Sequence, residues 1–466
     1  MSQKFQKFQK LNLFRCAVLG IALITWIFVS VFPVSAQTSS PDRGVYYGGS
    51  VVGGVEIDAA GLVKTTSKRT MEEVGKSLSK LLEPIPTDLN EKTLIRKISL
   101  KKLNAQICRT IENQEEFSDS IRYLGGLTAI RYLVVVPEEN DIILVGPSES
   151  WQADSYGNVI GKTSGRPVFR LEDLLTVFRA WNNQSRPSVI TCSIDPTKDA
   201  LAKIAQVDRQ FPVVDRNNVQ AFASAQETAY GMNVVTLQGV PEQSRFAMIL
   251  VIADYKMKQI GLGHVPSPVR NLPSYVSLIG GSQKQINPRF WLAPEYGTIT
   301  HDSKKLTWQL SEVKVKALTD DEYIDSRSNS RQPTGKPDRA AINWCNKMTA
   351  NYDALSKADP VFGDLKNCME LAITVALIRQ EELLEKAGCK LNAFEDATFL
   401  KPVVYPVPKK VRSQATVAKN GRSFVVACGG VEVNPFITLQ NVQLDSKIDT
   451  ERTNLAKTTG NAWWSK

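Results

Sequence analysis

The first 36 residues decide which part of this chain folds and in what surroundings. Lys4, Lys7, Lys10 and Arg15 form a basic leader with no acidic residue. Residues 16–34 are an apolar run, and Val34, Ser35 and Ala36 place small residues where a signal peptidase reads. That layout is a secretory signal, and it predicts an exported protein, periplasmic or extracellular, whose residues 37–466 fold outside the reducing cytosol. The run is also close to the roughly 20 residues that span a bilayer. The alternative is therefore a retained N-terminal membrane anchor carrying the same domains. Cys16 opens the run instead of closing it, which does not suit lipid attachment, and no second run of this length follows.

Composition narrows the function classes. The net charge is +10, and four of those charges lie in the leader. The remaining basic residues are scattered without interleaved aromatics, which argues against nucleic acid as a partner. Anionic envelope polymers stay possible as weak partners. Of the seven cysteines, Cys16 belongs to the leader, no two stand in CxxC spacing, and His264 and His301 are the only histidines. A zinc site lacks ligands at suitable spacing. No Gly-rich phosphate loop, nucleophile elbow or HExxH motif is present, so neither a metal nor a cofactor is expected.

The chain reads as α+β: antiparallel β-hairpins with packed helices, then a C-terminal helical hairpin followed by a β-hairpin. Asx-type turns bracket hairpins at Asp58–Gly61 and Asp154–Asn158; the second has too few carboxylates for calcium. Ser99 and Ser244 are helix caps, residues 132–136 and 142–145 an antiparallel pair, and residues 171–181 an amphipathic helix. The expected organisation is a signal peptide at 1–36 and an α+β domain at 37–324, with two subdomains conceivable. A linker at 325–337, a helical hairpin plus β-hairpin at 338–440 and a flexible tail at 441–466 complete it. In the helical hairpin, Phe362, Leu365, Met369 and Ile373 share one face. Cys345 and Cys368 lie part-way along its two arms, which makes them a candidate disulfide. Cys389 and Cys428 are a second candidate, and buried free thiols are the alternative for each.

Several segments taken together resemble a bacterial family of exported proteins known only as a domain of unknown function. They are residues 122–127 (Arg-Tyr-Leu-Gly-Gly-Leu), 192–197 (Cys-Ser-Ile-Asp-Pro-Thr), 253–258 (Ala-Asp-Tyr-Lys-Met-Lys) and 291–294 (Trp-Leu-Ala-Pro). Residues 360–367 (Pro-Val-Phe-Gly-Asp-Leu-Lys-Asn) and 429–431 (Gly-Gly-Val) complete the set. The resemblance would span most of residues 50–440 and implies no activity, substrate or catalytic residue.

Candidate chemistry is sparse. Asp254 and Lys258 interrupt an apolar helix at i, i+4 and read either as an acid/base with its partner or as an intrahelical ion pair. Arg166 sits in a Gly-Arg-Pro turn before a helix, where it either clamps an anionic ligand or ties its loop to the domain. Glu295 and Asp302, near Trp291, Tyr296 and Trp308, have the residue types of a glycan site, although aromatics in strands are more often core. The leading expectation is a non-enzymatic binding or structural protein of the cell envelope, with an envelope protein or polymer as partner. The alternative is an envelope hydrolase acting on polysaccharide or peptidoglycan through paired carboxylates among Asp254, Glu295 and Asp302. A third reading is a subunit that docks on another chain through its 338–387 hairpin.

The leader carries its own test. N-terminal sequencing of the exported protein is expected to begin at Gln37; a membrane-bound product beginning at Met1 would establish the anchor instead.

Overall fold

The computed structural model describes residues 51–52, 55–57, 63–65, 67–182, 188–215, 217–280, 285–325, 330–335, 338–418, 423–457, 460 and 462–466. The leader, the stretch 37–50, the first Asx turn at 58–62 and the turn at 419–422 lie outside the described residues. Among the described residues no helix is long and apolar enough to cross a membrane.

In chain order, strand β1 (Thr93–Ser99) runs into helix α1 (Leu100–Glu112), and β2 (Tyr132–Val136) and β3 (Asp141–Ser148) follow. Helix α2 (Leu171–Ala180) precedes β4 (Ile190–Asp195), the pair α3 (Lys198–Gln210) and α4 (Val219–Tyr230), and β5 (Met232–Gln238). Helix α5 (Arg245–Gly261) leads to β6 (Pro288–Glu295), β7 (Ile299–His301), β8 (Thr307–Gln309), β9 (Lys314–Asp325) and β10 (Ser330–Pro333). Helices α6 (Arg339–Ala350), α7 (Tyr352–Ala358) and α8 (Pro360–Gln380) come next. The chain closes with β11 (Lys410–Arg412), β12 (Gln414–Ala418), β13 (Ser423–Val433), β14 (Val442–Leu444), α9 (Lys447–Leu455) and β15 (Trp464–Ser465).

The local signals act where they stand in the sequence. Ser99, Thr197 and Ser244 side chains accept from the third backbone N–H beyond them and start α1, α3 and α5, satisfying donors the helix cannot. Asp154 Oδ1 accepts from Tyr156 N and Asn158 N at 2.8 Å, so that turn is built by side-chain-to-backbone bonds.

The chain is α+β, and its sheets are mixed. The larger sheet runs β10-β9-β6-β13-β4-β5-β11, with β12 pairing onto the first half of β13. The smaller runs β14-β7-β8-β2-β3-β1-β15. Most pairs are antiparallel, as hairpins dictate, but β13 lies parallel to β6 and β14 parallel to β7. A parallel neighbour needs a long crossover, and helices α6–α8 supply it between β6 and β13. The glycines at 429 and 430 let β13 enter: Gly429 has φ +134°, and a Cβ there would fall 1.5 Å from the Phe290 carbonyl oxygen. Ser330–Pro333, inside the expected linker, pairs with β9.

Helix α5 packs on β13, β4 and β6, and α8 packs on α5 and α2. Both sheets and both helices contribute to one hydrophobic core. The sequence predicts one apolar face for α8, yet every residue from Pro360 to Ile378 is buried. Asp364, Lys366, Asn367 and Glu370 on it find partners inside the protein, which lets all faces leave water. The helix expected to dock on another chain is thus enclosed within its own. Residues after Leu444, read as a flexible tail, are held at two places: β15 pairs with β1 over Lys97 and Ile98, and Lys97 Nζ donates to the Asn454 and Lys457 carbonyls. Trp463, with 5% of its surface exposed, supplies the apolar burial that offsets ordering this end.

Candidate functional site

The residues singled out in sequence do not gather in one place. Asp254 and Lys258 form an ion pair inside α5, Lys258 Nζ to Asp254 Oδ2 at 2.7 Å, with both side chains buried. Lys258 also donates to the Gly429 carbonyl at 3.3 Å. Burial raises the Asp254 carboxyl above its ordinary value while Lys258 pulls it back. Asp302 is buried in the β7–β8 turn, where it accepts from Leu306 N and Thr307 N at 2.6 and 3.0 Å. Glu295 ends β6 in the open, in register with Lys314, and half-buried Trp291 lies mid-strand opposite Leu318. Asp254, Glu295 and Asp302 belong to three separate elements, and no hydrogen bond or ion pair links them among the described residues. Cys345, Cys368 and Cys389 are buried free thiols, so neither candidate bridge is formed. Burial raises all three thiols above their ordinary value; Asp173 adds to this and Arg245 opposes it at Cys368, Asp141 adds and Lys101 opposes at Cys389, and burial acts alone on Cys345. Among the described residues no group of three or more His, Cys, Asp or Glu could hold a metal ion.

Arg166 does meet other functional groups. A shallow surface cleft, with free room of about 10 Å³ and so space for little more than one water molecule, is lined by Thr128, Arg166, Glu312, Lys366, Asn367 and Glu370 among others. Three cations converge there on Glu312. Arg166 Nη1 and Lys366 Nζ each lie 2.9 Å from Oε1, and Arg131 Nη2 lies 3.4 Å from Oε2. Arg131 also faces Glu370 at 3.7 Å, and Lys366 also pairs with Asp353 at 2.9 Å.

Each group is positioned by its own stretch of backbone. Arg131 precedes β2, its N–H donating to Val145 O and its carbonyl accepting from Leu310 N. Arg166 rides on the turn at Gly165, which the buried Glu149 carboxylate ties down through Thr163 N, Ser164 N and Ser164 Oγ. Lys366, Asn367 and Glu370 belong to the first turns of α8, with Asn367 Nδ2 donating to Pro167 O at 2.9 Å. Gly363 makes this approach possible: a Cβ there would lie 2.6 Å from Pro167 Cδ. Glu312 stands between β8 and β9, flanked by the buried Leu310 and Val313.

The two carboxyls differ sharply. Partial burial pushes Glu312 up, but the Lys366 hydrogen bond and the charges of Lys366, Arg166 and Arg131 overcome it and hold the group at about 2. Burial pushes Glu370 up to about 7 against the opposing Arg131 charge and the Ile130 N–H. Tyr296, a sequence candidate, lies close by. Its hydroxyl is buried without a hydrogen-bond partner, and burial, then the Glu370 charge, raises it well above its ordinary value. The structure therefore joins Arg166 and Tyr296 to one locus and adds Arg131, Glu312, Lys366 and Glu370. The signal available for the last two was a run of polar residues within an otherwise apolar helix pattern.

The guanidinium pairs of this cluster contribute little to stability. Glu312 is 38% exposed, and ion pairs of such exposure contribute about 0–1 kcal/mol each. Three cations gathered on one accessible carboxylate are better suited to holding an anion.

Residues 192–275 match the family model described as "Protein of unknown function (DUF1598)". The matched span runs from within β4 to just beyond α5 and contains Asp254 and Lys258, while the cleft residues lie outside it. No curated protein and no solved structure matches the chain.

Two measurements test this assignment of roles. Asp254→Ala leaves Lys258 buried without a countercharge and is expected to lower unfolding stability by about 3–5 kcal/mol, read from urea denaturation. A wild-type midpoint would show the pair to be dispensable. Glu370 ionises at an ordinary 4.5 in the unfolded chain and at about 7 in the folded one. Between those values the folded chain keeps a proton that the unfolded chain has lost, so stability falls as pH rises from about 4.5 to about 7. Glu370→Gln should flatten that decline; wild-type and variant curves that stay parallel across the window would contradict it.

Proposed function

We propose that this chain is a non-enzymatic binding protein of the cell envelope that holds an anionic partner in the Arg131–Arg166–Lys366 cleft. The observation that carries this is the convergence of three basic side chains on one accessible carboxylate. Export is supported by the basic leader and apolar run, and an anionic envelope polymer is the partner class that charge and location favour together.

The second reading, an envelope hydrolase acting on polysaccharide or peptidoglycan, draws on a different observation. Glu312 and Glu370 are two carboxyls in one cleft with widely separated affinities for protons, the pattern of an acid and a base. Two facts weigh against it. A carboxylate held at about 2 is a feeble base at neutral pH. Glu370 is only 2% exposed and already accepts the Ile130 N–H.

Cosedimentation with a purified anionic cell-wall polymer at low salt tests the binding reading. Arg166→Ala is expected to weaken binding about tenfold, or 1.4 kcal/mol, and added salt to weaken it further. Unchanged binding by Arg166→Ala would defeat the proposal. Release of reducing sugar by wild type and not by Glu370→Gln would establish the hydrolase.

A further inference from the structure

We infer that Glu312 is a built-in substitute for the ligand, and that the partner's anchoring group is a single carboxylate which enters the cleft by displacing it. This rests on the binding reading above and narrows it to one chemical group and one mode of entry.

Three observations support it. The first is how the oxygens are served. Glu312 Oε1 takes Arg166 and Lys366, both at 2.9 Å, and Oε2 takes Arg131 at 3.4 Å. Two oxygens in one plane, approached by guanidinium groups and an ammonium, is the geometry a carboxylate satisfies.

The second is charge balance. Arg131, Arg166 and Lys366 face Glu312, Asp353 and Glu370. Exchanging one monoanionic carboxylate for another keeps this balance. A phosphate dianion would add a negative charge beside Asp353, which already pairs with Lys366.

The third is the contrast between backbone and side chain at residue 312. Leu310 and Val313 are buried and Leu310 N is bonded to Arg131 O, so the loop is anchored. The Glu312 side chain is 38% exposed, more than any of the three cations around it, at 31% for Arg166, 26% for Arg131 and 9% for Lys366. It can swing into water by rotation about its own bonds while the cations keep their places. The incoming acid then inherits a site already assembled, so little ordering remains to oppose binding.

The test removes the substitute and supplies carboxylate from solution. Glu312→Ala is expected to melt below wild type and to be restored by sodium acetate, dose by dose, beyond sodium chloride at equal ionic strength. Glu312→Gln, which keeps the side chain's shape, carries the test should the alanine variant fail to fold. By calorimetry it should bind acetate about tenfold more tightly than wild type, and adding Arg166→Ala should abolish the gain. Rescue by acetate no greater than by chloride, or equal rescue by inorganic phosphate, overturns the inference. The cell-wall polymer separates the two levels. If Arg166→Ala weakens polymer binding while Glu312→Gln binds it no better than wild type, the binding reading stands and displacement of Glu312 fails. If neither wild type nor Glu312→Gln binds polymer or acetate, both fail.

Discussion

Helix α8 is buried on every side yet carries Asp364, Lys366, Asn367 and Glu370 within two turns. A polar group taken out of water must find a partner or cost several kcal/mol. Each of the four finds it in a different part of the chain. Asp364 pairs with Arg245 of α5, Lys366 with Glu312 after β8, Asn367 with the carbonyl of Pro167, and Glu370 with the N–H of Ile130 before β2. The requirement to satisfy one helix thus draws four remote segments to its first turns. The cleft forms where those segments meet at the surface.

Two charge clusters grow from this arrangement, and their exposure separates their roles. Arg245 lies between Asp173 and Asp364, all three nearly inaccessible to water. Burial pushes Asp173 up to about 7 although Arg245 opposes it. Such a group fixes which helices sit together, and losing one member leaves an uncompensated charge in the core. Around Glu312 the exposure is graded: Glu312, Arg166 and Arg131 are 38%, 31% and 26% exposed, so their pairs break at little cost, while Lys366, at 9%, keeps Asp353 as a second partner. The exchange proposed for Glu312 fits the exposure of the second cluster and not that of the first.

Much of the local structure was legible because its causes are local. The caps at Ser99 and Ser244 and the Asp154 turn act within four residues of themselves, and sequence patterning finds such devices directly. The parallel insertion of β13 was not legible, since it depends on Gly429 and Gly430 meeting the backbones of Phe290 and Cys192, which lie far away in sequence. The cleft was half legible. A Gly-Arg-Pro turn marks Arg166 by itself, whereas Arg131 and Glu312 are ordinary surface residues until the fold brings them together. Asp302 reads in sequence either as a hairpin-turn carboxylate or as part of a glycan site, and in the structure it accepts from Leu306 N and Thr307 N of its own turn.

The match at residues 192–275 and the cleft divide the molecule in an informative way. The matched span supplies β4, β5 and α5, against which α8 is laid. Its distinctive polar pair, Asp254 and Lys258, is sealed beneath β13, where Lys258 reaches the carbonyl of Gly429. That pair ties α5 to the sheet at Gly429, which has no side chain of its own to pack. The proposed binding surface lies on this core, where Gly363 lets the Arg166 turn settle against α8. A rigid floor of this kind is what an exchangeable carboxylate site needs. Arg131, Arg166 and Lys366 must hold their spacing when Glu312 leaves, because cations free to splay apart would lose the ordering advantage that favours an incoming acid.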